Sequence, residues 1–364
     1  MTFLTRYWRQ KPAATIDLGD SAVAADPFPW YERLRRDGPV HYLPRNDFWI
    51  VLGYDAVKAA FDRPDLFSSA GYDDVDRVLL AADPPNHTPI RRAVSRLFSG
   101  DALARLTAFA DAEAERLAQG EIDVVGDYAA PFTQAVAAEL IGFDGDAVAL
   151  LRAAFTPEAP FAETVEQLDR IAERARIYDM FRQAEYGGFS DREARSLIRL
   201  LWLAATTTTE RTIVHSTLRL LRDVDLKTRI AADRALLGPF IEEVLRLNPA
   251  ESLIRRVTTG EAALGGVTIP AGVSVQLCLP AANRDPARFP EPASVRFDRP
   301  QKQHLAFGFG LHFCPGAGLA RRLVPVALAK LLDRPGLRPL EPLDEIGWVA
   351  TASTLVPRRL RVAL

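Results

Sequence analysis

A chain of 364 residues with 48% hydrophobic and 25% charged residues has the composition of a soluble globular protein with a large core. Its formal charge of -2 and pI near 6.3 carry no polyelectrolyte signature, so nothing in the balance of charge calls for nucleic acid as a partner. Two cysteines, Cys278 and Cys314, are too few for a disulfide framework and point to a reducing compartment.

The opening stretch MTFLTRYWRQKPAATIDLGD has no apolar run long enough for a signal or a span. No later segment reaches about 18 apolar residues, and the expectation is a cytoplasmic protein without a membrane anchor. PWYERLRRDG reads as a helix, and PVHYLP with DFWIVLG as a strand pair. Helical periodicity then predicts helices over about 55–61, 88–98, 101–119, 131–141, 162–184, 191–222, 228–247 and 317–333. Strand patterns return in LIRRVT, AALGGVTI and GVSVQLCL, and again in EIGWVA and RRLRVAL. The segment NRDPARFPEPASVRFDRP, 283–300, holds too many prolines for regular structure and should run irregularly over the surface. No linker rich in Gly, Ser or like charges divides the chain and no repeat is present. The expectation is a single domain over 1–364, mostly helical (α+β), with small peripheral β-sheets.

The stretch HLAFGFGLHFCPGAGLARR sets Cys314 among glycines, aromatic rings and a histidine. A cysteine offers a thiolate where a metal or positive potential stabilises it, and the residues after Cys314 read as a helix whose N terminus favours an anion. Gly308, Gly310 and Gly316 would let backbone approach a flat ligand closely. The competing reading is a buried structural cysteine in a glycine-rich turn, which is also how Cys278 in VQLCLP reads.

The pattern Phe307-Gly308-x-Gly310-x-His312-x-Cys314-x-Gly316 resembles the haem-ligand loop of the cytochrome P-450 superfamily. The resemblance implies the cytochrome P-450 fold, a helical haem-binding domain, with Cys314 as axial thiolate of a b-type haem (heme b, iron protoporphyrin IX). Three further motifs follow the family's order. His87 and Arg91 in PPNHTPIRR lie four apart on one helix face, where two donors need an anion between them; this resembles the family's clamp on the haem propionates. Glu243 and Arg246 in EEVLRL, with Arg299 in RFDRP, resemble its structural Glu-Arg-Arg network. Arg256 in LIRRVTTGE matches an Arg-x-(Ala/Thr) pattern at the haem edge, and strand alternation sends the adjacent Arg255 to the opposite face. By the same resemblance His312 also serves a propionate. His304 packs near the loop, and His41 and His215 are surface or structural residues. The N-terminal PFPWYERLRRDGPVHYL resembles the family too, so the likeness covers nearly the whole chain. It implies a soluble bacterial type fed by a ferredoxin and a ferredoxin reductase, since two cysteines cannot supply the four thiolates of an iron–sulfur cluster.

Two departures stand out. The interval 142–190 is short, so the lid over the substrate pocket should be reduced. And LAATTTTERTI stands where the family carries Ala-Gly-x-(Asp/Glu)-Thr-Thr: Ala205 replaces the glycine, Thr207 replaces the acid, and Thr208 is the alcohol that relays protons. Shifting by one residue instead pairs Thr208 with the acid and Glu210 with the second threonine. The threonines also suit a buried helix face that they simply fill. Segments within 66–80, Leu253, Ile254 and the turn Ala352-Ser353-Thr354-Leu355 are expected to line the pocket. The implied activity is monooxygenation of a small organic or natural-product substrate. The alternatives are peroxide-driven oxidation, ring coupling without oxygen insertion, and a non-catalytic haem-binding protein.

Overall fold

The computed structural model describes residues 16–72, 76, 78–98, 100–154 and 161–364. In chain order the elements begin α1 (Ser21–Ala25), α2 (Phe28–Asp37), β1 (Val40–Leu43), β2 (Phe48–Val51), α3 (Tyr54–Phe61) and β3 (Phe67–Ser68). There follow α4 (His87–Ser95), α5 (Gly100–Leu117), β4 (Glu121–Asp123), α6 (Ala130–Ile141), α7 (Gly145–Ala154), α8 (Phe161–Ile171), α9 (Arg176–Arg182) and α10 (Asp191–Arg222). Next come α11 (Val224–Ala232), α12 (Leu237–Leu247), β5 (Leu253–Thr258), β6 (Ala262–Leu264), β7 (Val267–Ile269), β8 (Ser274–Cys278) and α13 (Leu279–Ala282). The last are α14 (Ala317–Leu332), β9 (Arg338–Pro339), β10 (Trp348–Ala350), β11 (Leu355–Pro357) and β12 (Arg361–Ala363). The fold is mainly helical with small sheets, as expected from periodicity.

Two helices expected as single runs are broken, each by local chemistry. At 162–184, Ala175 is extended (φ -78°, ψ 131°) and the next amide, of Arg176, donates to the carbonyl of Gly142 at 3.0 Å instead of to its own helix. At 228–247, Asp233 is extended and its carboxylate accepts from Ala235 N at 3.0 Å, the competition with the backbone that makes Asp a cap and not a helix-interior residue.

The chain divides into two compact units: residues up to Tyr72 with Pro239–Cys314 and Gly347–Pro357, and Asp73–Gly238 with Pro315–Ile346 and Arg358–Leu364. The first holds a five-stranded sheet of order β1-β2-β8-β5-β3, in which only β2 and β8 run parallel. Alternation feeds a core on each face: Trp49, Val51, Val275 and Leu277 face one way, Ile50, Leu52 and Cys278 the other. Covered on both sides, the central strands read as apolar runs.

The Pro-rich segment of this unit is irregular, as expected, and is held by buried ionic contacts. Glu243 accepts from Arg246 at 2.7 and 2.9 Å, from Arg299 Nε at 2.8 Å and from the amide of Arg296 at 2.9 Å. The remaining guanidinium donors turn to main-chain carbonyls. Arg246 reaches Asn283, Pro292 and Ser294, and Arg299 reaches Pro290, Glu291 and Ser294. All three side chains are buried. The motif is thus a bracket on a segment that cannot form its own hydrogen-bond ladder.

In the second unit α10 runs 32 residues, about 48 Å. A capping box of Ser190 and Glu193 starts it, with Ser190 N donating to the Glu193 carboxylate at 2.9 Å. It is buried along most of its faces. Leu197, Ile198, Leu201 and Trp202 join a core to which the 142–190 interval contributes Phe143, Leu151, Leu168, Ile171, Ile177, Tyr178 and Phe181. Phe143 meets Trp202 edge to face at 5.8 Å. Among the described residues no helix is long and apolar enough to cross a membrane.

Burial raises the Glu243 carboxyl, but hydrogen bonds from Arg246, Arg299 and the Arg296 amide outweigh it and hold the group below the ordinary glutamate value. Glu243→Gln should therefore cost about 3–5 kcal/mol at pH 7 in urea unfolding, since two buried guanidinium groups lose their counter-charge. A depressed carboxyl stabilises above its unfolded value and loses that contribution as pH falls through the folded one. The gap between wild type and Glu243→Gln should accordingly narrow below about pH 4.

Candidate active site

The two cysteines part company in the fold. Cys278 is fully buried, and desolvation pushes its thiol up to about 12 despite a hydrogen bond with Tyr31. Cys314 is partly exposed. It ends a loop in which Gly308 N donates to Leu305 O (2.9 Å), Phe313 N to Gly310 O (3.1 Å) and Cys314 N to Phe307 O (2.8 Å). Gly308 and Gly310 adopt φ of 69° and 66°, and a Cβ on Gly310 would lie 3.0 Å from the carbonyl oxygen of Phe61. Those two positions need glycine. Gly316, with φ -85°, is the N-cap of α14, which begins at Ala317. Cys314 therefore precedes that cap by two residues and does not belong to the first helical turn.

Asn283, which sequence reasoning passed over, connects this loop to the bracket. Its carbonyl accepts from Arg246 at 3.0 Å, and its side-chain oxygen accepts from the amide of Leu305 at 2.7 Å. Tyr54 adds a second tie through its hydroxyl to Gln303 O at 2.8 Å. Only the side-chain chemistry of an amide inside a proline-rich stretch could have signalled Asn283.

Cationic side chains sit in both units. In the first, Arg256 is buried with its guanidinium 5.4 Å from the Phe61 ring centre and Nη1 donating to Arg255 O at 2.7 Å. Arg255, half-buried, turns away to Gly71 O at 2.8 Å, the separation that alternation predicts. His312 meets the buried Ser69 hydroxyl at 3.1 Å, a second partner missed from sequence. Ser252 N donates to Ser353 O at 3.3 Å, bringing the 352–355 turn to the start of β5, beside Leu253. Of the 66–80 segment, residues 73–75 and 77 lie outside the described residues. His304 is buried and contacts Glu242 at 3.2 Å. His41 and His215 are buried too, so they are structural and not surface residues.

In the second unit His87 opens α4 with Arg91 one turn on. Burial, reinforced by the Arg91 charge, lowers the His87 pKa, leaving the ring neutral at pH 7. On α10, Thr206, Thr207 and Thr208 donate to the carbonyls of Trp202, Leu203 and Ala204 at 2.8, 2.9 and 2.7 Å. Thr206 and Thr209 are buried, Thr207 and Thr208 partly open, and Ala204 exposed, with Ala205 packed at the core's edge. The threonine run is therefore core filling at two positions and an accessible hydroxyl face at the other two. Glu210 follows, partly buried, its carboxyl pushed up to about 7 by desolvation that the Arg211 charge only partly offsets.

A mainly helical fold with small sheets, carrying a reachable cysteine in a glycine-turned loop and buried cations, has the parts of a haem-thiolate protein. The cytochrome P450 family model matches residues 161–341. Cytochrome P450 109 of Bacillus spizizenii is 33% identical over 342 residues, 84% of each chain. The cytochrome P450 monooxygenase PikC of Streptomyces venezuelae is 32% identical, covering 88% of this chain and 86% of PikC. The structure of the tirandamycin C-bound P450 monooxygenase TamI superposes with a TM-score of 0.84 at 27% identity over 95% of this chain and 99% of that one. The chain belongs to the cytochrome P450 family. It is a haem-thiolate oxidoreductase of the monooxygenase kind, with haem iron as cofactor, a small-molecule substrate and electron-transfer partners. The peroxide-driven, ring-coupling and non-catalytic alternatives are not needed to account for it.

Asn283→Ala should leave the Leu305 amide buried without its acceptor and cost about 1–3 kcal/mol. Denaturant unfolding checks the loss, and the haem absorbance followed in the same titration should disappear at lower denaturant than in wild type.

Proposed function

We propose that Cys314 is the thiolate ligand of a b-type haem in this chain, and that the enzyme oxygenates a small organic substrate of natural-product type. One observation carries the reading: of two thiols, the one at the end of the glycine-turned loop is reachable and the other is sealed in the core at about 12. When bound, the haem iron with its sulfur ligand supplies oxygen activation. Phe307, Gly308 and Gly316 shape the loop around that sulfur. His87, Arg91, Arg256 and His312 meet the propionates, and the Arg side chains suit this role because paired N–H donors match a carboxylate. The neutral His87 donates or accepts one hydrogen bond without adding to the repulsion from Arg91.

On α10, Ala205, Thr207 and Thr208 form the proton-handling segment. Support for Thr208 over Thr209 as the working alcohol is accessibility, since Thr209 is only 6% exposed and a relay must be reachable. Thr208 donates to Ala204 O and keeps its lone pairs to accept a proton. The electron donors are a ferredoxin and its reductase, and the compartment is the cytoplasm, supported by two cysteines that form no disulfide. Tirandamycin C in TamI supports a substrate of that kind.

Cys314→Ala should abolish the carbon-monoxide difference band of a thiolate-ligated haem, whereas Cys278→Ala should keep it. The reverse result would move the ligand to Cys278 and end this assignment.

A further inference from the structure

We propose that Glu210 is the acid of the proton-handling segment, taking over from one helical turn further on the role that Thr207 leaves unfilled. The inference rests on the reading above that α10 serves the oxygen chemistry. Its starting point is a chemical deficit: Thr206, Thr207 and Thr208 each donate to the carbonyl four residues back, and Thr212 likewise donates to Thr208 O at 2.8 Å. Each hydroxyl has its proton committed to the backbone and offers lone pairs outward. Such a run accepts and passes protons, but a hydroxyl is too weak an acid to originate them near neutral pH.

Helix geometry supplies the candidate. At 3.6 residues per turn, a residue three positions on lies about 60° around the axis, so Glu210 shares a stripe with Thr207. Side chains on a helix lean toward its N terminus, and long ones cover the preceding turn. From position 210 of this helix a glutamate side chain is long enough to extend back toward the turn of Thr206 and Thr207. Arg211 is the one charged group acting on this carboxyl among the described residues, and no hydrogen bond contributes to its shift. A carboxyl that burial raises to about 7 can hold a proton near neutral pH and still give it up. The step balances simply: a proton leaves a Glu210 Oε for a lone pair of Thr207 or of an intervening water. Thr207 turns its own proton from Leu203 O to a water that bridges to Thr208, since adjacent residues on a helix do not face each other. Thr208 gives its own proton to the oxygen being reduced, and the carboxylate takes a new one from solvent along its partly exposed edge.

The test uses the holoenzyme of wild type, Glu210→Gln, Glu210→Asp and the double variant Thr207→Glu/Glu210→Gln. Infrared difference spectra of the ferric proteins between pH 5 and 9 read the carboxyl directly. A neutral-acid C=O band that titrates near pH 7 in wild type and is missing in Glu210→Gln is expected; an unchanged band in that variant overturns the assignment. Steady-state NAD(P)H oxidation with excess surrogate ferredoxin and reductase should fall by at least about ten-fold in Glu210→Gln, with a larger solvent deuterium effect. Glu210→Asp should fall less, and placing the acid at 207 in the double variant should restore the rate. A structural role for Glu210 would not produce that rescue, and an unaltered rate and isotope effect in Glu210→Gln would refute the proposal. The carbon-monoxide band separates the two layers. If wild type lacks it, the haem-thiolate reading has failed; if every variant keeps it while the proton readouts stay flat, only the role of Glu210 has.

Discussion

The carboxylate of Glu243 is the constraint on which the loop of Cys314 depends. It is buried against two guanidinium groups, and each arginine spends its other donors on carbonyls of a proline-rich segment that has no ladder of its own. One of those carbonyls belongs to Asn283, whose side chain then accepts the Leu305 amide, and Leu305 O in turn accepts Gly308 N. An unbroken series of hydrogen bonds thus runs from a helix ion pair to the turn that delivers the sulfur. Ion pairs on exposed helices contribute little, and this one matters because burial makes every unmade bond expensive.

Within the two units, fixed cations stand alongside groups kept neutral. Arg256 is held in place by stacking on Phe61 and by a backbone carbonyl, so its charge is positioned before any anion arrives. His87 is pushed the other way, toward the neutral ring, by burial and by Arg91. On α10 the hydroxyls fold back on the helix, and the carboxyl that follows them is shifted up by burial. For His87 and Glu210 the surroundings favour the neutral form.

The 142–190 interval is well integrated where it is described: its helices give the second unit's core several of its aromatic and branched side chains, around Trp202 of α10. That packing explains why α10 shows no single apolar stripe. A helix covered on most sides carries apolar residues most of the way round, and its polar threonines survive there only by bonding to the carbonyls one turn back.

The sequence by itself determined residue chemistry and periodicity. The spacing of Cys314, His312 and the glycines, the pairs His87–Arg91 and Glu243–Arg246, the long helix and the alternating strands were all legible, because each depends on neighbours within a few positions. Tertiary structure decided the rest. Burial separates Thr208 from Thr209, and it adds a physical difference between Cys314 and Cys278 and between Arg256 and Arg255 to what motif and alternation had suggested. Only contacts far apart in sequence reveal Asn283 beneath Leu305, Ser69 beside His312, or the Gly142 carbonyl that takes the Arg176 amide. Gly308, Gly310 and Gly316 look alike in the motif, and only the backbone path shows that the first two adopt positive φ. A linear chain states which groups are available; their solvation and their distant partners exist only once it has folded.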